Sequence, residues 1–206
     1  MEHTVDQWTI ADGWVSAARR VQSPNCNDRP VGAQPELIVI HNISLPPGEF
    51  GGPHIETLFC NGLDIEAHPF FEHLKDLRVS AHFLIRRDGE LLQFVAADQR
   101  AWHAGESQWC GRENCNDFSL GIELEGTDEL AYSDAQYACL LTLVGTLQSH
   151  YPALGADAIV GHSDIAPGRK TDPGPSFDWQ RLGIPSPSSS KGEVGVPVSY
   201  PSKEPT

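Results

Sequence analysis

At 206 residues the chain is long enough to bury one core without disulfide support. A net charge of −14 disfavours nucleic acid and anionic membrane as partners, because phosphate-bearing surfaces are bound through basic patches. No run is long and apolar enough to cross a bilayer, and the opening M-E-H-T-V-D-Q-W-T-I lacks the basic flank and apolar core of a secretory signal. Without an export signal, Cys26, Cys60, Cys110, Cys115 and Cys139 read as reduced thiols of a cytosolic protein. Cys110 and Cys115 lie close together, but no second pair exists to complete a metal site with them.

In chain order, residues 1–35 are polar and rich in turn signals. L-I-V-I-H-N-I, Leu37 to Ile43, is a continuous β-branched run and predicts a buried central strand. A Pro/Gly-rich loop follows. Apolar residues at helical spacing predict short helices over 54–61 and 67–77. Ser80 to Val95 reads as a hairpin, with Asp88-Gly89 as a two-residue turn. S-L-G-I-E-L-E-G, Ser119 to Gly126, alternates and predicts a strand with Glu123 and Glu125 opposite the leucines. Ser133 and Gln136 form a capping-box signature. It opens a helix over 134–151 with Tyr137, Leu140, Leu141, Val144 and Leu147 on one stripe. A short strand over 158–161 delivers His162, and residues 177–182 suit a last helical turn. These elements predict an α/β fold, a mixed sheet flanked by helices, over residues 1–184. Residues 185–206 are Pro/Ser-rich without periodicity and read as a disordered tail.

His41 and His162 each end a predicted strand at an abrupt change from apolar to polar. Strands ending side by side would bring both imidazoles to one rim. Asp172 follows in G-H-S-D-I-A-P-G-R-K-T-D-P-G, a loop stiffened by Pro167 and Pro173. Two nitrogens and one carboxylate oxygen form the three-ligand pattern of catalytic zinc, which keeps one position open. On spacing alone, a strand-end histidine near an exposed aspartate is the preferred reading. Likewise Glu123 reads as an exposed strand carboxylate, Lys170 as a solvated loop charge, and Trp102 as core or cleft wall. His82 reads as a satisfied sheet residue, while His54, His68 and His73 fall in surface segments.

Five blocks, in order, carry a resemblance: L-I-V-I-H-N-I-S-L-P-P-G-E-F-G-G, R-V-S-A-H-F-L-I-R-R-D-G, R-A-W-H-A-G, C-N-D-F-S-L-G-I-E-L-E-G-T-D and the Asp172 loop. From about Gly13 to Leu182 the chain resembles the zinc amidases of the AmpD type, relatives of phage T7 lysozyme and the peptidoglycan recognition proteins. The resemblance implies that fold, with zinc on His41, His162 and Asp172. It implies Glu123 and Lys170 as catalytic residues, and Asn42, Arg78, Trp102 and His103 beside bound muropeptide. It further implies a cytoplasmic, monomeric enzyme cleaving the amide between anhydro-N-acetylmuramic acid and L-alanine during wall recycling. One departure touches peptide binding: similar sequences carry Arg or Ala where this chain has Asn114. The rival readings are a non-catalytic peptidoglycan-binding module and an amidase acting on intact wall.

Overall fold

The computed structural model describes residues 8–155 and 157–184, so the tail from residue 185 lies outside the described residues. Strands β1 (Arg19–Arg20), β2 (Leu37–Ile43), β3 (Phe83–Ile85), β4 (Leu91–Gln93), β5 (Ser119–Glu125) and β6 (Ile159–Gly161) form one sheet in the order β6-β2-β5-β3-β4-β1. Neighbours run parallel except the β3–β4 hairpin, which makes the sheet mixed. β2 keeps the bounds its composition predicts. It is apolar from Leu37 to Ile40, where both sheet faces are covered as parallel strands require, and turns polar at His41 and Asn42.

Helix α2, Asp134–His150, covers one face. Its capping box is complete: the Ser133 hydroxyl accepts from the Gln136 backbone N–H at 3.1 Å, and Gln136 Oε1 accepts from the Ser133 N–H at 3.0 Å. Leu140, Leu143 and Leu147 pack on Ile38, Ile40, Ile122 and Leu124. Each such buried leucine contributes about 2 kcal/mol. The apolar stripe differs from the predicted one at one position. Leu141 is 45% exposed and Leu143 takes its place inside. The helix is rotated because Gln136 faces inward, its amide donating to the Ile85 and Glu125 carbonyls at 3.2 and 2.9 Å.

The other face is covered in two patches. Helix α1, His54–Phe59, and Phe71 pack on Leu84, Leu92 and Phe94, while Leu37 and Val39 meet Cys115, Phe118, Val160 and Ile165. The helix predicted over 67–77 is instead a pair of 3-10 turns, Ile65–Ala67 and Pro69–Leu74. With Pro69 at the start and only Phe71 buried, too little apolar surface is covered to sustain an α-helix there. The hairpin turn is also longer than expected. Ile85 pairs with Leu91, and the Arg86 N–H donates to the Glu90 carbonyl at 3.0 Å. The loop is therefore Arg87-Asp88-Gly89, a turn with a glycine bulge, and Gly89 supplies its φ of +90°.

Glu125, at the end of β5, is almost fully buried. It accepts from Arg86 Nη1 at 3.1 Å, from the Gly51 N–H at 2.7 Å and from the Arg87 N–H at 3.2 Å. Replacing it strands these donors, although Arg86 keeps Glu56 at 2.7 Å. Glu125→Ala is expected to lose about 3 kcal/mol of unfolding free energy. Urea titration with an unchanged m-value checks this.

Candidate functional site

Strand register assembles the site. In the parallel ladders Glu123 pairs with His41, and Gly161 pairs with Ile40. His162, the next residue and the first of α3 (His162–Ile165), therefore stands level with His41. Side chains alternate along a strand, and Ile40 and Ile122 face α2. His41 and Glu123 accordingly share the opposite face, at the carboxyl ends of the strands where open α/β sheets bind ligands.

Asp172 arrives on a loop fastened on both sides. The Ser163 N–H donates to the Asp172 carbonyl at 3.0 Å. The Pro173 carbonyl accepts from Tyr132 Oη at 2.8 Å and from Asn42 Nδ2 at 3.2 Å, while the same Asn42 amide donates to Asp128 Oδ1 at 2.7 Å. Gly174, with φ +78°, lies so close to the Asp128 backbone that no Cβ fits.

The three groups converge. His41 Nδ1 and His162 Nδ1 are 2.9 Å apart, and Asp172 Oδ2 is 3.1 Å from the first and 3.0 Å from the second. Donors on a tetrahedral zinc with ordinary bond lengths stand about 3.3 Å apart, a few tenths of an ångström more. Burial pushes His41 down to about 4, so it is neutral near pH 7. His162 Nε2 meets the Ala104 carbonyl at 3.1 Å, which can only accept, so the proton sits there and Nδ1 is bare. A carboxylate oxygen and lone-pair-bearing nitrogens packed this tightly are electrostatically incomplete, and a divalent cation is what completes them. The chemistry of the donor set fits zinc.

Glu123 lies beside this group. Its Oε2 is buried without a hydrogen-bond partner. Its proton affinity is well above the usual carboxylate range, first because of burial and then because of the nearby Asp172 charge, with Lys170 opposing. Lys170 is exposed and forms no ion pair among the described residues.

All nine residues singled out from the sequence line one cleft of about 590 Å³. Arg78 is exposed at its rim, where its guanidinium donates to the Leu77 carbonyl at 3.1 Å and the Lys75 carbonyl at 3.5 Å. Trp102 Nε1 donates to Asn27 Oδ1 at 2.6 Å, which fixes its indole against the wall. His103 sits deeper, with both ring nitrogens engaged, by His41 at 2.9 Å and Ser119 at 3.2 Å. His82 is satisfied by the Gly121 N–H and the Gln99 carbonyl, both at 3.0 Å. Asn114 does not line the cleft; it borders a neighbouring hollow that shares Arg169. An apolar wall of Leu58, Phe59, Leu74 and Val79 escaped the sequence reading, since these residues carry the same signal as core. Tyr132 and Asp128 escaped it too, because they act on the site through the Asp172 loop and Asn42.

A water-accessible cleft holding three converging metal donors and a buried, unpartnered carboxylate defines a hydrolase-type site. The chain belongs to the N-acetylmuramoyl-L-alanine amidase family, whose model matches residues 31–175. It is 62% identical over 170 residues to the 1,6-anhydro-N-acetylmuramyl-L-alanine amidase AmpD of Salmonella typhimurium strain SL1344, covering 82% of this chain and 90% of that protein. The crystal structure of a selenomethionine AmpD derivative superposes with a TM-score of 0.83 at 59% identity, covering 84% of this chain and 97% of the other. The Escherichia coli amidase AmiD, solved with the substrate anhydro-N-acetylmuramic acid-L-Ala-D-gamma-Glu-L-Lys, matches with a TM-score of 0.54 at 28% identity, covering 86% of this chain and 65% of that one.

Asp172→Ala removes the only oxygen of the triad. The folded variant is expected to carry a small fraction of the wild-type zinc content by atomic absorption. A fully metallated variant would remove Asp172 from the ligand set.

Proposed function

We infer that this chain hydrolyses the amide between 1,6-anhydro-N-acetylmuramic acid and L-alanine in small, soluble muropeptides, as a zinc enzyme of wall recycling. The carrying observation is Glu123 Oε2, buried, unpartnered and one strand away from the His41–His162–Asp172 triangle in the same cleft. Zinc held by His41 Nδ1, His162 Nδ1 and Asp172 would supply a Lewis acid for the scissile carbonyl and make water a competent nucleophile near neutral pH.

The chain's own residues supply the rest. Glu123 takes the proton of the attacking water and returns it to the departing alanine nitrogen. Its raised proton affinity suits it to hold that proton between the two steps. Its place in a central strand fixes the carboxylate to the precision such transfer needs. Lys170, unpaired at the cleft, donates to the oxygen that becomes negative in the tetrahedral intermediate. Arg78 at the rim is placed to pair with a peptide carboxylate. Asn42, Trp102 and His103 bound the space left for sugar and peptide.

Five thiols with no disulfide among the described residues support a reducing compartment, the cytosol. The charge of −14 supports a monomer acting on small fragments rather than on nucleic acid or membrane. No helix among the described residues is long and apolar enough to cross a membrane.

Wild-type protein is expected to release L-alanyl peptide and anhydro-N-acetylmuramic acid from anhydromuramoyl-tripeptide, and to stop when zinc is chelated. Mass spectrometry of the products checks this. Binding without cleavage would favour a non-catalytic module, and faster release from polymeric sacculi would favour a wall-directed amidase. Glu123→Ala should keep its zinc and lose at least about 100-fold in turnover. Lys170→Ala should lose about 3 kcal/mol of transition-state stabilisation, roughly 100-fold in kcat.

A further inference from the structure

His41 has two ring nitrogens, and only the one without a proton can ligate. We propose that His103 is a positioning residue that accepts the Nε2 proton of His41 and thereby bares His41 Nδ1 toward the metal position. This rests on the zinc reading above. The direction of each hydrogen bond follows from a group that has no choice. The Cys115 carbonyl can only accept, so the Ser119 hydroxyl, 2.6 Å away, donates to it. The same oxygen, its proton spent, accepts from His103 Nε2 at 3.2 Å. A neutral imidazole carries one ring proton, so His103 Nδ1 is an acceptor. It lies 2.9 Å from His41 Nε2, which therefore carries the His41 proton and leaves Nδ1 free beside Asp172 Oδ2.

The surroundings hold His103 in this role. A Cβ on Gly121 would overlap the His103 ring carbons, so the imidazole lies directly on the strand backbone. Its edge meets the His41 ring at a centroid distance of 5.0 Å and an interplanar angle of 85°. Asn116 Oδ1 accepts from the His103 and Ala104 N–H groups at 3.0 and 2.8 Å. The Ala104 carbonyl then orients His162 through Nε2 at 3.1 Å. One dipeptide thus sets both histidine tautomers, His41 through a side chain and His162 through a carbonyl. Outer partners of this kind typically alter metal affinity about 10–100-fold.

The test begins with zinc-loaded wild-type protein and long-range 1H–15N NMR of the histidine rings. His103 is expected as the neutral Nε2–H tautomer, and an Nδ1–H or doubly protonated ring overturns the proposal. Zinc affinity by chelator competition follows. His103→Leu should weaken binding about 10–100-fold, whereas His103→Asn, whose Oδ1 sits where Nδ1 was, should recover most of it. Ser119→Ala, which leaves the His103 ring in place, should weaken it by a smaller factor. A folded His103→Leu protein binding zinc as tightly as wild type overturns the proposal. Should His103→Leu fail to fold, the wild-type spectrum and Ser119→Ala decide. Absence of zinc binding by the wild type would instead defeat the zinc reading itself.

Discussion

Everything at the site depends on the parallel register of β6, β2 and β5. That register sets His162, His41 and Glu123 in one row across three adjacent strands. It is enforced from the opposite face of the sheet. Ile38, Ile40, Leu120, Ile122 and Leu124 are buried beneath α2. At about 2 kcal/mol each, these five side chains represent roughly 10 kcal/mol of burial. A slip of one residue would turn them outward, at a cost comparable to the stability of an entire domain. The core therefore positions the chemistry. Imidazole and carboxylate are held in place by the aliphatic side chains that alternate with them.

Burial of so many polar groups is tolerable because nearly all have partners. His82, His103 and His162 each use their second nitrogen on a carbonyl, hydroxyl or backbone N–H. Burial holds His82 at about 3 and His103 well below the ordinary histidine range, so both rings are neutral. Within the cleft the exception is Glu123 Oε2, a buried carboxylate oxygen left without a partner among the described residues. Charge is also arranged locally against the global field. The chain carries −14 overall, yet Arg78, Arg169 and Lys170 stand around the cleft mouth. An anionic peptide would meet these cations at close range, while the net negative field is screened within about 10 Å of salt solution.

Local signals were legible wherever one residue type decides the local energy. The β-branched run 37–43 appears with its predicted bounds, and the Ser133–Gln136 cap forms as read. Less was legible where neighbours in space arbitrate. Leu141 and Leu143 both fit a helical stripe, and Gln136, reaching two carbonyls from other strands, chose between them. Asp88-Gly89 marks a turn, but the pairing of Ile85 with Leu91 sets its length. The apolar cleft wall was not legible, since a Phe beside a cavity and a Phe in a core look alike in sequence.

By itself the sequence determined the kinds of groups available, the order of the sheet's strands along the chain, and the family whose motifs they spell. Tertiary structure alone decided that they meet. His41 and His162 lie 121 positions apart and His41 and Asp172 131, so no periodicity links them, yet their ligand atoms come within 3.1 Å. It also decided which nitrogen each histidine presents, because a tautomer is set by the hydrogen-bond partner of the other nitrogen. That partner is a spatial neighbour supplied by strand register and loop packing.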